Sequence, residues 1–439
     1  MRVMKWSMIA LAVAAGTSQL AVASSQDEAK GFVDDSKLTV KMRNLYFSRD
    51  RRDSESAANK AAGLRHDVRE WGQGFVGTFE SGFTQGTVGV GVDAIGMLGI
   101  KLDSGRGYSG SGLFPTGSDD RSQDEYSKGG GAVKFRVSDT VLKVGDQFTA
   151  MPVFATDDSR LLPEVAQGAL ITSNEIKGLT LQAGHFTSIT AQAATYHDSI
   201  NDGVGDGQGF GLTKADVVGG TYAFTDNLSS SLYYSRVEDY WRKYYGNLNW
   251  ALPISDSQGL VFDFNIYDTK SIGDAIYRSG FTRDGDKLDN RAYSLSGAYN
   301  IGAHTFTLAY QKISGDGEYA YGIDGGGSIF LANSVARSDF NAEDEKSWQA
   351  RYDLNFAEYG VPGLTFMVNY VRGTDANVGD TSNAKEWERD VSVKYVLQEG
   401  PAKDLSFRVR QATYRSSDKI SSGSLDELRL IVEYPLSIL

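Results

Sequence analysis

Guanidinium and ammonium groups recur in this sequence inside short runs where every second residue is apolar, and the alternation forces each cation onto the opposite face. In the run that begins at Lys37, the apolar set Leu38, Val40 and Met42 leaves Lys41, Arg43 and Arg49 together on the other side. Between Ala132 and Val137, the set Val133, Phe135 and Val137 does the same for Lys134 and Arg136, and the next run adds Lys143. Near the end, Leu405, Phe407 and Val409 oppose Ser406, Arg408 and Arg410, and Lys394 lies between Val393 and Tyr395. Arg351 shares a face with Gln349, Asp353 and Asn355, opposite Trp348, Ala350, Tyr352, Leu354 and Phe356. Fixed cations along one wall of a wet passage make and break no bonds. They bind an anion reversibly at successive sites, each weak enough to release it.

The segment Asp157-Asp158-Ser159-Arg160-Leu161-Leu162-Pro163 mixes charge with apolar residues in a way that does not suit a freely solvated loop. It predicts a loop folded into the passage, with Leu161, Leu162 and Pro163 packed and Arg160 reaching the solute. Other constellations are set aside. Gly72-Gln-Gly74-Phe-Val-Gly77 matches the dinucleotide pattern but lies in an alternating strand with no βαβ unit around it. Asp202-Gly-Val-Gly-Asp206-Gly and Asp284-Gly-Asp286 read as turn-forming loops before they read as calcium sites. His66, His185, His197 and His304 lack metal-site spacing, and no nucleophile elbow accompanies them. No cofactor and no enzymatic activity are expected.

The elements that position these residues follow from the same period. Alternation persists from Lys37 almost to Leu439, with Leu260, Phe262, Phe264 and Ile266 opposite Asp263 and Asn265, and Phe306, Leu308 and Tyr310 opposite Thr305, Thr307 and Gln311. A soluble β-sandwich also alternates, so the connections decide. Short turns around Thr84, Asp139, Glu175, Asp226, 253–257, Gly302, 359–363 and 399–402 interleave with longer polar loops over 50–69, 101–127, 151–168, 189–212, 238–243, 270–289, 314–345, 373–386 and 415–424. Eight turns and nine loops make eighteen strands. The fold class is therefore all-β: a membrane-spanning, antiparallel, up-and-down barrel with tight periplasmic turns and long external loops. Strand cations then point into the lumen, because Arg or Lys facing lipid at the midplane costs about 2–4 kcal/mol.

Arg2 and Lys5 precede an apolar run from Met8 to Val13, and Ala21-Val22-Ala23 supplies a small-residue cleavage site, so residues 1–23 read as a signal peptide and 24–439 as the barrel domain. The composition agrees, with 50 Gly, 23 Tyr and 21 Phe but only 7 Pro, and no later apolar run long enough for a spanning helix. With no Cys there is no disulfide framework, and stability must come from a closed hydrogen-bonded ladder. The net charge of -12 argues against a nucleic-acid partner, and its acids concentrate in the loops. Outer-membrane lipid and lipopolysaccharide are the expected surroundings.

Several longer runs resemble the OprD, or Occ, family of substrate-specific porins: 158–163, 329–334 with Ser338-Asp339-Phe340, 346–352, 360–366, 386–390 and 400–405. The resemblance covers essentially the whole mature chain. It implies a barrel whose third and seventh external loops fold inward to form an eyelet, with an arginine ladder guiding a substrate carboxylate. On that resemblance Asp158, Ser159 and Arg160 belong to the third-loop motif, with Arg160 the eyelet arginine. Arg408 and Arg410 are the ladder pair, which Arg136 and Arg43 extend, and Ser334 and Asp339 lie in the seventh-loop motif. The expected function is passive uptake of small carboxylate-bearing solutes by a monomer or loose trimer. Basic amino acids are the alternative substrate branch, and a closed structural barrel or a barrel hydrolase are rivals of other classes.

Overall fold

A computed structural model describes the chain except for residues 1–25, 53–66, 106–107, 120, 198–210, 276–286, 418–419 and 421–422. The signal-peptide segment, His66 and the runs at 202–207 and 284–286 lie outside the described residues. Eighteen strands form one antiparallel sheet: β1 (Lys37–Arg51), β2 (Val68–Glu80), β3 (Gly89–Ser104), β4 (Glu125–Val137), β5 (Thr140–Gln147), β6 (Val165–Ile176), β7 (Leu179–Thr190), β8 (Ala215–Thr225), β9 (Leu228–Val237), β10 (Trp241–Ser255), β11 (Gln258–Ser271), β12 (Asp289–Ile301), β13 (His304–Asp316), β14 (Lys346–Asn355), β15 (Leu364–Val378), β16 (Thr381–Val396), β17 (Ser406–Ser416) and β18 (Leu425–Ser437). Each strand pairs with its neighbours in sequence. Closure comes from β1 against β18, in continuous register from Thr39↔Ser437 to Arg51↔Leu425. No sheet edge is left unpaired, as the hydrocarbon region requires.

Alternation places apolar side chains outward. Leu308 is 68% exposed and Trp348 64% exposed, a placement that suits lipid rather than water. Inward, the lumen is polar near the short turns and tightly filled where the long loops enter. Val153, Phe154, Trp241, Tyr267 and Tyr319 belong to one buried cluster that joins loop to wall, and Phe154 stacks on Phe186 at 4.2 Å. The packed core of this barrel is thus made by its loops.

Two connections differ from the sequence reading. Residues 373–386 are not a polar loop. β15 and β16 continue upward to a tight turn at 379–380, with register shifts near Gly373 and Ala376, because Ala376, Val378 and Ala384 pack on Ile420. The first short turn is instead a longer segment, 81–88, steadied by the residues that precede β1. Gln26 Nε2 donates to the Thr84 carbonyl at 2.7 Å, and the Gly82 N–H donates to Phe32 O at 2.8 Å.

Candidate functional site

Two loops narrow the lumen. L3 (148–164) leaves β5, makes a short hairpin at 150–155, and descends through Asp157 to Pro163. Leu161 and Leu162 are completely buried. The seat for Leu161 is the wall of β2 at Gly72 and Gly74, where an added Cβ would come within 2.9 Å of the Leu161 side chain and 2.8 Å of its carbonyl oxygen. The two glycines that matched a dinucleotide pattern therefore serve loop packing. Residues 108–119 of the connection between β3 and β4 also fold inward, which the sequence did not reveal. Its Phe114 packs edge-on against Tyr126, and its Ser111 carbonyl accepts from Arg160 Nε at 2.8 Å.

L7 (317–345) docks on the wall and on L3 along its length. Asp324 accepts from Lys243 Nζ of β10 at 2.6 Å, and both side chains are fully buried between Trp241 and Tyr319. The Gly327 N–H donates to Ala155 O of L3 at 3.0 Å, and the approach is so close that a Cβ on Gly325 would collide with that carbonyl. At the far end, Arg337 and Ser338 donate backbone N–H groups to Glu388 at 2.8 Å, and Ser338 Oγ donates to Glu386 at 2.9 Å. Ser334 Oγ donates to Asp339 Oδ1 at 2.5 Å and Tyr321 Oη donates to Asp339 Oδ2, so this pair fixes the loop turn.

The loops themselves are joined by Glu164. Its Oε2 accepts from the Asp157 N–H of L3 at 2.8 Å and from the Gly326 N–H of L7 at 2.9 Å. Burial dominates those two bonds and pushes its carboxyl up to about 7. A carboxyl raised in the folded state contributes stability that is whole below its unfolded value and lost as pH rises through the folded one. The clasp should therefore loosen between pH ~4.5 and ~7. Amide exchange at Gly326 and Asp157, corrected for intrinsic rates, should quicken from pH 5 to pH 8 in the wild type and stay flat in Glu164→Gln. Equal pH dependence in both would refute the assignment.

Against the open wall of β1, β17 and β18, cations converge. The Phe47 ring has Arg429 at 4.5 Å, Arg49 at 4.8 Å and Arg160 at 5.5 Å from its centroid. One carboxylate bonds two of these groups: Glu427 accepts from Arg49 Nε at 2.7 Å and from Arg429 Nε at 2.5 Å. Among the described residues Arg160 bonds only neutral acceptors, the Ser111 carbonyl and the hydroxyl and carbonyl oxygens of Ser159. Burial, and next the adjacent Arg429 guanidinium, lower its pKa, the mark of a cation crowded by its own kind. Below this point Arg410 lies directly opposite Arg429, and Arg408 opposite Lys394. Like charges directly across a ladder repel, and among the described residues no ion pair relieves Lys394, Arg408 or Arg410.

Other expected site residues are placed elsewhere. Arg43, 7% exposed, donates to Asp158, the Arg160 carbonyl and Glu433, so it clamps L3. Lys41 completes the clamp on Asp158 at 2.5 Å. Burial opposes the charged form of Asp158, but Arg43 and Lys41 outweigh it and hold its carboxyl below the ordinary range. Lys134 and Lys143 share Asp93, at 2.7 and 2.6 Å. Arg136 bonds Gln26 and stacks on Phe83 beside the short turn, far along β4 from the loops. Arg351 is closed on Asp353 through two 2.7 Å bonds. The sequence reading missed Arg429, although Leu428, Leu430 and Val432 on the opposite face carried the same signal.

A closed eighteen-stranded barrel with a polar lumen narrowed by inward loops defines an outer-membrane porin. The family model for "outer membrane porin, OprD family" matches residues 30–438. The chain belongs to the OprD family. It is 49% identical to Porin D of Pseudomonas aeruginosa over all of both chains. The solved structure of OccK9 (OpdG) of that organism superposes with a TM-score of 0.85 at 36% identity, covering 93% of this chain and 100% of the other. OpdK of Pseudomonas aeruginosa, solved with vanillate, gives 0.80 at 34% identity over 93% and 100%.

Proposed function

We propose that this porin passes small carboxylate-bearing solutes by passive diffusion through an arginine-lined constriction. The observation that carries the reading is the convergence of Arg49, Arg160 and Arg429 on Phe47 with Glu427 as the one bonded carboxylate. A solute carboxylate supplies the missing negative charge, in charge-assisted hydrogen bonds to groups the fold already holds in place. It then passes to Arg410, Arg408 and Lys394 on the adjoining strands toward the periplasm. The buried Phe47 ring backs the three guanidinium groups and holds them together. The related OpdK, solved with the carboxylate vanillate, supports the same substrate class.

Uptake of basic amino acids is the second reading, favoured by the acids Glu386, Glu388 and Asp390 on β16. These accept from L7 at Ser338, Arg337 and Ala336, which occupies them with the loop rather than with a solute ammonium. Uptake by proteoliposomes from a panel of benzoate-like acids, aliphatic acids and basic amino acids separates the two. Reversal potentials in a salt gradient test the track itself. The wild type should favour anions, and Arg408→Ala with Arg410→Ala should move the potential toward cations. An unchanged potential in the double variant would remove these residues from the path.

A further inference from the structure

The outside of the barrel carries cations that the channel does not use. On three adjacent strands Arg236 of β9, Arg242 of β10 and Lys270 of β11 lie directly opposite one another, Arg236↔Arg242 and Arg242↔Lys270. Their strand neighbours Val237, Trp241, Lys243 and Thr269 are buried and face inward, so all three point outward. Neighbouring strands are about 4.8 Å apart, which makes this a short row of positive charge. Lys270 has one partner, Asp289 at 3.0 Å. Arg236 stands opposite Asp216, whose carboxylate is engaged by His185 at 2.7 Å. Among the described residues neither Arg236 nor Arg242 is in an ion pair. Like charges set directly opposite repel across a ladder, so the row is an unbalanced arrangement on its own.

What lies on either side identifies the missing charge. One step down the same face, Tyr234 and Tyr244 form a pair with ring centroids 4.9 Å apart. Tyrosine in this position marks the level of lipid headgroups. Further down, Leu232 is 71% exposed, and Leu248 and Trp250 are also exposed, forming part of the lipid-facing band. Above the row come the external connections after β9 and β11. The cations thus stand one step outside the tyrosine pair, at the external end of the barrel, where the polar parts of outer-leaflet lipids lie.

We propose that Arg236, Arg242 and Lys270 form a binding site for the phosphate groups of an outer-leaflet lipopolysaccharide, with its acyl chains lying against Leu232, Leu248 and Trp250. The two guanidinium forks bind phosphate oxygens bidentately, and the ammonium adds a point charge. The bound lipid relieves the repulsion within the row, and the row takes the place of the divalent cation that otherwise bridges neighbouring phosphates. The site is on the lipid side of the wall, so it stands or falls independently of the carboxylate reading of the lumen.

The test is native mass spectrometry and lipid titration of the purified barrel in detergent, with wild type compared with R236Q/R242Q/K270Q. The glutamines remove repulsion and leave the ladder untouched, and heat-modifiable migration on gels verifies closure. Each surface cation contributes on the order of a fourfold to sixfold preference for an anionic lipid surface, so the triple variant should bind phosphorylated lipid A roughly a hundredfold more weakly. Wild-type binding should survive chelation by EDTA, and lipid A stripped of its phosphates should bind both proteins equally. R242K, which keeps the charge and loses the fork, should fall between the two. Equal binding of phosphorylated lipid A by wild type and triple variant would overturn the proposal. So would displacement of the lipid by millimolar inorganic phosphate, which would reveal a site for the free anion.

Discussion

Asp324→Ala is expected to release L7 from the barrel wall and to have the largest structural effect of any single substitution in the lumen. Lys243 and Asp324 are both fully buried, with 2.6 Å between Nζ and Oδ2. Removing one member of such a pair leaves an uncompensated charge in a dry site, a loss of about 3–5 kcal/mol. The ladder of eighteen strands does not depend on this pair, so the barrel should still close while the loop detaches locally. Single-channel recordings should show higher conductance with added open-channel noise, and proteolysis within 317–345 should become rapid. Lys243→Met combined with Asp324→Leu should recover most of the wild-type behaviour, because apolar replacement of a buried pair is often neutral. A quiet, wild-type conductance in Asp324→Ala would show that the remaining contacts of L7, with Ala155, Glu164, Glu386, Glu388 and Asp390, hold the loop without this pair.

The second large effect is on transport. Arg160→Gln removes a guanidinium that, among the described residues, bonds only the Ser111 carbonyl and the hydroxyl and carbonyl oxygens of Ser159, so no buried carboxylate is left without its cation. Its loss should therefore be read in the solute and not in folding. A charge-assisted hydrogen bond contributes about 1.5–3 kcal/mol. Carboxylate flux at low solute concentration should accordingly fall by roughly ten- to a hundredfold, with melting behaviour unchanged. Arg43→Gln should act in the opposite way. It leaves Glu433 without its cation and Asp158 with Lys41 alone, loosening L3, so stability should fall before selectivity does. If Arg160→Gln transports carboxylates as well as wild type, the constriction is not where the anion is recognised.

These contrasts show why the faces of the cations were legible and their duties were not. Period-two alternation assigns Arg43, Lys134, Arg136, Arg351, Lys394, Arg408 and Arg410 to the lumen, because the alternative is a charge in lipid. It cannot assign their partners. Asp158 reaches Arg43 across 115 positions of sequence, and Glu433 across 390. Arg136 meets Gln26 only because the segment before β1 returns to the short-turn end of the barrel. Arg429 is the opposite case, since its strand carried a clear alternation and its inward face followed from it. The misread loop at 373–386 is different again. Its polar composition describes a hairpin rising above the membrane, where both faces meet water except at a small patch around Ile420.

By itself the sequence determined the class: eighteen alternating segments with tight turns and long loops have one closed solution in a bilayer, which leaves no backbone group unpaired. It also raised the expectation, without settling it, that Leu161 and Leu162 pack inward and bring Arg160 into the lumen. Only the tertiary structure decided which cations are spent on partners and which gather at the constriction. That outcome depends on where L3 and L7 come to rest, through contacts far apart in the chain: Leu161 on Gly72 and Gly74, Asp324 on Lys243, and Glu164 between the loops. With L3 so placed, Asp158 joins Glu433 in neutralising Arg43, while Lys134 and Arg351 are taken up by acids of the wall. Arg49, Arg160 and Arg429 are left around Phe47, with Glu427 bonding Arg49 and Arg429 and, among the described residues, no carboxylate bonding Arg160.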